Sequence, residues 1–191
     1  MEKIYIEAKT FDKLHFQESG FEIGEYEHCT FNQCDFSNTN LSDILFIECE
    51  FNSCNLSLAK LQKTGFQDIT FKDCKLLGLH FESCHKFGFA VAFDNCQLND
   101  SSFYQTRLPK TLFKDSKLQA TDFTECNLMG SKFNNCDLSG ATFDRTNLEK
   151  VDFTTSYNYN IDPELNQIKN AKFSLLGVSG LLTKYHIDIV M

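Results

Sequence analysis

The chain repeats itself every five residues. From Phe11 the steps land on Phe16, Phe21, Tyr26, Phe31, Phe36, Leu41, Phe46, Phe51, Leu56, Leu61, Phe66, Phe71, Leu76 and Phe81. The series slips near Lys86, resumes at Phe93, and alternates Phe and Leu as far as Phe153. Of the 20 Phe, 17 lie on this grid. Helices repeat their faces at 3.6 residues and strands at 2, so neither alone produces this pattern.

The nine cysteines follow the same grid. Cys29, Cys34, Cys49, Cys54, Cys74, Cys84, Cys96, Cys126 and Cys136 each lie two residues before a grid position, with Lys86 as a degenerate member. Elsewhere that slot holds small or β-branched residues such as Ala59, Thr64, Ile69, Ser101 and Val151. Residues two apart share one side of an extended segment. A large apolar side chain and a small one therefore point inward together, and Cys serves as the small hydrophobe. The intervening positions, such as Asp122, Asn127, Lys132 and Asp137, face water.

Units such as Cys126-Asn-Leu-Met-Gly, Cys136-Asp-Leu-Ser-Gly and Ala141-Thr-Phe-Asp-Arg resemble the pentapeptide-repeat consensus. The resemblance spans about residues 4 to 155. It implies an all-β fold, a right-handed quadrilateral β-helix with four pentapeptides per coil. About 28 units then make roughly seven coils and a rod roughly 34 Å long at strand spacing. Twenty-residue coils place Phe11, Phe31, Phe51 and Phe71 in one column, continued by Phe93, Phe113, Phe133 and Phe153 if the break at 82–92 adds two residues. The expected organisation is a β-helix over 1–156 and a capping and dimerisation segment over 157–191.

The break is expected to be a bulge in which Phe87 or Phe89 fills the vacated core position. In the tail, Asp162-Pro-Glu reads as a helix start, with a helix to about Ala171. A second helical stretch is expected near 174–182, and Tyr185 to Val190 alternates like a strand. Solenoid ends need caps. The tail carries more apolar residues than one rod end needs: Leu175, Leu176, Val178, Leu181, Leu182, Ile187, Ile189 and Val190. A homodimer joined through this segment is expected, and the family resemblance implies the same.

No catalytic constellation appears. Cys spacings follow the core grid and not the Cys-x2-4-Cys pairs of zinc sites. The five His are scattered, and no phosphate loop or nucleophile elbow is present. The expectation is a non-enzymatic protein without metal or cofactor. No apolar run approaches a membrane span, and the start of the chain lacks a secretory apolar stretch, so a cytoplasmic protein is expected.

The net charge of -8 disfavours direct nucleic-acid binding. It is also uneven. Residues 14 to 59 contain Glu18, Glu22, Glu25, Glu27, Asp35, Asp43, Glu48 and Glu50 and no Lys or Arg. Over little more than two coils this is about one charge per 1.4 Å, against about one per 1.7 Å of duplex DNA. The family includes Qnr-type quinolone-resistance members that mimic DNA and engage DNA gyrase. The resemblance therefore implies a protein partner such as gyrase or topoisomerase IV, met by the acidic coils. The competing reading is a scaffold rod whose acidic residues only keep it dispersed. A basic set, Arg107, Lys110, Lys114 and Lys117, is the other candidate surface.

Overall fold

The computed structural model describes residues 4–19 and 21–190, with the side chains of Glu18 and Ser19 outside the description. The chain winds into a parallel β-solenoid. Seven short strands, Thr10–Asp12, Thr30–Asn32, Glu50–Asn52, Ile69–Lys72, Val91–Asp94, Leu112–Lys114 and Lys132–Asn134, form one sheet. Ile4–Glu7, Gly24–Glu27, Leu45–Ile47 and Gly65–Gln67 form a second. Every pairing is parallel. The register is 20 residues, as in Phe31↔Phe51, and 22 across the break, as in Phe71↔Phe93. Two further faces are held by single bridges, for example His15↔Asp35↔Asn55↔Lys75 and Ser102↔Asp122↔Thr142. Among the described residues, helix is confined to a four-residue turn, Phe16–Ser19, and short 3-10 turns.

Ring packing explains why the period is so strict. Phe113 stacks on Phe133 with centroids 4.6 Å apart and planes 3° apart. Phe123, from the opposite face, meets Phe113 edge-on at 88°. Stacked columns crossed by edge-to-face contacts suit the ring quadrupole, and a leucine or cysteine fills the space beside each ring. The nine cysteines are buried free thiols. Cys54 Sγ donates to the Phe31 carbonyl, as Ser156 Oγ donates to that of Phe133 and Thr146 Oγ1 to that of Phe123. Where the small inward slot holds such a residue, its side chain also donates a hydrogen bond, which satisfies a carbonyl of the preceding coil.

Two features of the outward positions were invisible to the inside-outside reading. Most corners carry a residue with positive φ two places after the grid residue, such as Asn38, Asp43, Asp100 and Lys150. Asn and Asp tolerate that conformation best. The Asp or Asn before the grid residue also folds back. Asp35, Asn55, Asp122, Asn127, Asp137, Asn147 and Asp152 each accept a hydrogen bond from the backbone N–H two residues on. These side chains brace the turn.

The tail departs from expectation. Residues 162–171 form no helix. Gln167 pairs with Asn147, Lys172 pairs with Asp152, and Phe173 stacks on Phe153. The coils therefore run past residue 156, and the coil count differs slightly from seven. Asp162 accepts from the Glu164 N–H, but as a turn brace and not a helix cap. Two 3-10 turns, Gly177–Leu181 and Thr183–Tyr185, replace the second helix. No strand forms at 185–190, where His186 is left-handed.

These turns close the end over Tyr159. A Cβ on Gly177 would collide with the Tyr159 hydroxyl, and one on Gly180 with its carbonyl. Lys184 Nζ bridges Asp162 Oδ1 at 2.7 Å and Glu164 Oε2 at 2.6 Å and straps the tail down.

Candidate functional site

The four-stranded sheet aligns acidic residues in rows. Its register places Tyr5 beside Glu25 and Glu7 beside Glu27. Like charges on neighbouring strands repel. Two contacts offset this. The Tyr5 hydroxyl donates to Glu27 Oε2 at 2.7 Å, and the His28 ring lies 3.7 Å from Glu27 and 3.4 Å from Glu48. The Glu27 carboxylate holds the Tyr5 phenol well above its usual range, foremost through that hydrogen bond. Glu48 stands on the same corner column as His28 and Asp68. Glu50 begins the next face, and Asp43 stands on the corner that precedes Leu45–Ile47 of the four-stranded sheet.

Not all of the expected acidic set joins this face. Asp35 belongs to the opposite face, where its Oδ1 takes the Ser37 backbone N–H at 2.9 Å and hydroxyl at 2.6 Å. Partial burial pushes its pKa up, but the Ser37 hydrogen bonds and His15 outweigh this and hold it below the usual carboxylate range. Glu22 lies on the neighbouring face, in the row that also holds Ser42. Glu18 lies on the Phe16–Ser19 turn, and its side chain is outside the described residues. The sequence reading missed Glu7, Tyr5 and His28. Glu7 and Tyr5 fall before the Lys-free stretch, and His28 follows Glu27 directly in the sequence but meets Glu48 only through the 20-residue coil.

Apolar groups share the acidic face. Leu45 and Ile47 are half-buried outward residues of the sheet. Beside them, Gly65 leaves room that the Leu45 side chain occupies. Phe87, from the break, is 77% exposed and borders a shallow depression with Leu45, Gly65 and Gln67. Phe89 turns toward the core and packs 6.4 Å from Phe81, half-buried. The break therefore fills part of the vacated position with Phe89 and projects Phe87.

The basic candidates do not form one surface. Arg107 and Lys117 bridge on different faces. Lys114 is paired to Asp94 at 3.1 Å, and Lys110 stands on a corner. Among the described residues no group of His, Cys, Asp and Glu is arranged to hold a metal ion. No helix there is long and apolar enough to cross a membrane.

The sequence profile of the pentapeptide repeat region matches residues 25–86 and 89–162, more than half of the chain. The chain belongs to the pentapeptide-repeat family. The two residues that the match skips, Phe87 and Gly88, fall at the phase slip of this pentapeptide-repeat protein. Its fold is similar to that of full-length QnrB1, a plasmid-mediated fluoroquinolone resistance protein, at 19% identity and a TM-score of 0.50. That match covers 96% of this chain and 100% of QnrB1. It is also similar to HetL, involved in heterocyst differentiation regulation in the cyanobacterium Nostoc, at 16% identity and a TM-score of 0.47, over 89% and 87% of the two chains. Likenesses this distant concern the fold alone. No curated protein matches this pentapeptide-repeat chain.

Proposed function

We propose that this chain is a non-catalytic binding rod whose acidic sheet face holds a protein partner. The observation that carries the reading is the juxtaposition of Glu25, Glu27 and Glu48 with Leu45, Ile47 and Phe87 on one face. Protein interfaces combine apolar anchors with polar rims, and acidic rows steer a basic partner onto them. Aromatic columns occupy the interior, so recognition belongs to the outside of the rod.

The partner put forward first is the DNA-binding groove of a type II topoisomerase, DNA gyrase or topoisomerase IV. Its support is the acidic charge of the first coils and the fold shared with QnrB1. The chain would occupy that groove without itself binding nucleic acid. A specific observation favours a second reading, a scaffold for another basic protein. Glu7, Glu25 and Glu27 share one face, with Asp43 and Glu48 on its corners, whereas phosphates wind round both sides of a duplex.

In either case we infer a homodimer joined through the C-terminal segment. Leu175, Leu176, Val178, Ile187 and Ile189 are exposed there, while Leu181 packs on the core cluster and Leu182 is half-buried. The deciding experiment for the topoisomerase partner is gyrase supercoiling with and without a quinolone. Protection from the drug, or inhibition of supercoiling, is expected. If the protein neither protects, inhibits nor binds gyrase, the scaffold reading takes its place.

A further inference from the structure

The acidic face changes sign along the rod. Its first outward column holds Tyr5, Glu25, Leu45 and Gly65 in register. His85 extends it, since its N–H donates to the Thr64 carbonyl as the Gly65 N–H donates to that of Ile44. The flanking faces cross the break at 22 residues, as in His80↔Ser102 and Thr70↔Ala92, which places Arg107 in the same column two coils on from Gly65. The second column holds Glu7, Glu27, Ile47 and Gln67. Phe87 projects from the break and shares a depression with Leu45 and Gln67. Lys110 stands on the corner after Arg107, as Glu48 stands on the corner after Ile47. The order along the rod is acid, then apolar, then base.

The two charged ends are equally far from the middle. Glu25 and Arg107 lie two coils either side of Gly65, roughly 10 Å each way at strand spacing. Among the described residues Glu25, Lys86, Arg107 and Lys110 enter no ion pair within the chain. Two copies laid antiparallel, with a two-fold axis running across the face at Gly65, bring Glu25 of each opposite Arg107 of the other. Leu45 and Ile47 of each then meet Phe87 of the other. A parallel arrangement would instead set Glu25 against Glu25 and Arg107 against Arg107.

We propose that this face binds a second copy of the chain, side by side and antiparallel. A two-fold contact requires a surface that is its own complement, and opposed charges across it fix the register. The contact has about ten outward residues a side, against roughly 20–30 in a stable interface. Lys63, on the corner beside Gly65, also faces its own copy. The association is therefore weak, and salt screens it. It is separate from the C-terminal dimer. It covers the face that the proposed function gives to a partner, and rests on that reading for its consequence, which is competition between a second copy and the partner.

The test uses the full chain carrying Leu175→Glu and Leu176→Glu, so that only the face can associate. Amide NMR shifts are followed against protein concentration at low salt. Concentration-dependent shifts are expected at Leu45, Gly65 and Phe87 and should vanish at high salt. Glu25→Lys with Glu27→Lys should lose them, and so should Arg107→Glu with Lys110→Glu. An equimolar mixture of these two variants should regain them, because each now carries the sign that the other lacks. Phe87→Ser, at an exposed site, should lose them with the rest of the spectrum unchanged. The proposal is overturned if the parent chain shows no such shifts, if they persist at high salt, or if either charge variant or Phe87→Ser keeps them. A mixture of folded charge variants that does not regain them overturns it too. No partner is present in these measurements. Pairing without capture of a partner therefore sinks the proposed function alone, and capture without pairing sinks this inference alone.

Discussion

Phe173 stacks on Phe153 with centroids 5.5 Å apart and planes 9° apart, which makes it the ninth ring of the column that starts at Phe11. The column runs the length of the rod and crosses from the repeats into the tail. Its inner members should carry much of the stability. Phe113 is fully buried between Phe93 and Phe133. Phe113→Ala is expected to cost about 3–5 kcal/mol, read as a lowered urea midpoint.

The thiols should behave as core groups. Burial pushes Cys49, Cys126 and Cys136 up to about 12 from a reference of 9.0. The folded state keeps these protons after the unfolded chain has begun to release them. Their contribution to stability is therefore complete below about pH 9 and declines as pH rises toward about 12. Equilibrium unfolding across that range should show falling stability, and a thiol reagent at pH 8 should label the native protein only as it unfolds.

The terminal cap depends on two glycines. Gly180→Ala places a methyl against the Tyr159 carbonyl, beside the hydrogen bond from Ile161 N–H to Gly180 O. It should loosen the cap by about 1–3 kcal/mol, seen as faster hydrogen exchange at the Ile161 amide. Tyr159→Phe removes a buried hydroxyl without a partner among the described residues. It should be neutral or slightly stabilising.

Leu175 and Leu176 are 91% and 77% exposed beyond the cap. Leu175→Glu with Leu176→Glu should leave the melting temperature nearly unchanged and convert a dimer to a monomer in sedimentation velocity. A wild type that is monomeric at all concentrations contradicts the proposed dimer.

The five-residue period made most of the fold legible, because stacked rings tolerate no other spacing. The tail was misread for a definable reason. Ile168 and Phe173 continue the grid, but Asn158 and Pro163 interrupt it. Leu165, Ile168 and Ala171 also satisfy a helical period, so two spacings competed over the same residues. Pairing of Gln167 and Lys172 with the previous coil decided between them. Acidic charge was countable from the sequence, but its arrangement was not. Asp35 and Glu25 occupy the same offset in the repeat, yet one braces a turn on one face and the other stands on the opposite face. The difference lies in Ser37, whose hydroxyl and N–H engage Asp35. The half-filled core position at the break was hidden because Phe89 packs only partway into a place that Lys86 leaves unfilled.

The acidic face is tested most directly by charge reversal. Glu25→Lys, Glu27→Lys and Glu48→Lys together should abolish capture of the partner from native extract, while Glu125→Lys with Glu149→Lys should not. Capture by the wild type should weaken steeply with salt, as expected for exposed charges. If the triple variant stays folded and retains its partner with unchanged salt dependence, the acidic face is not the binding surface.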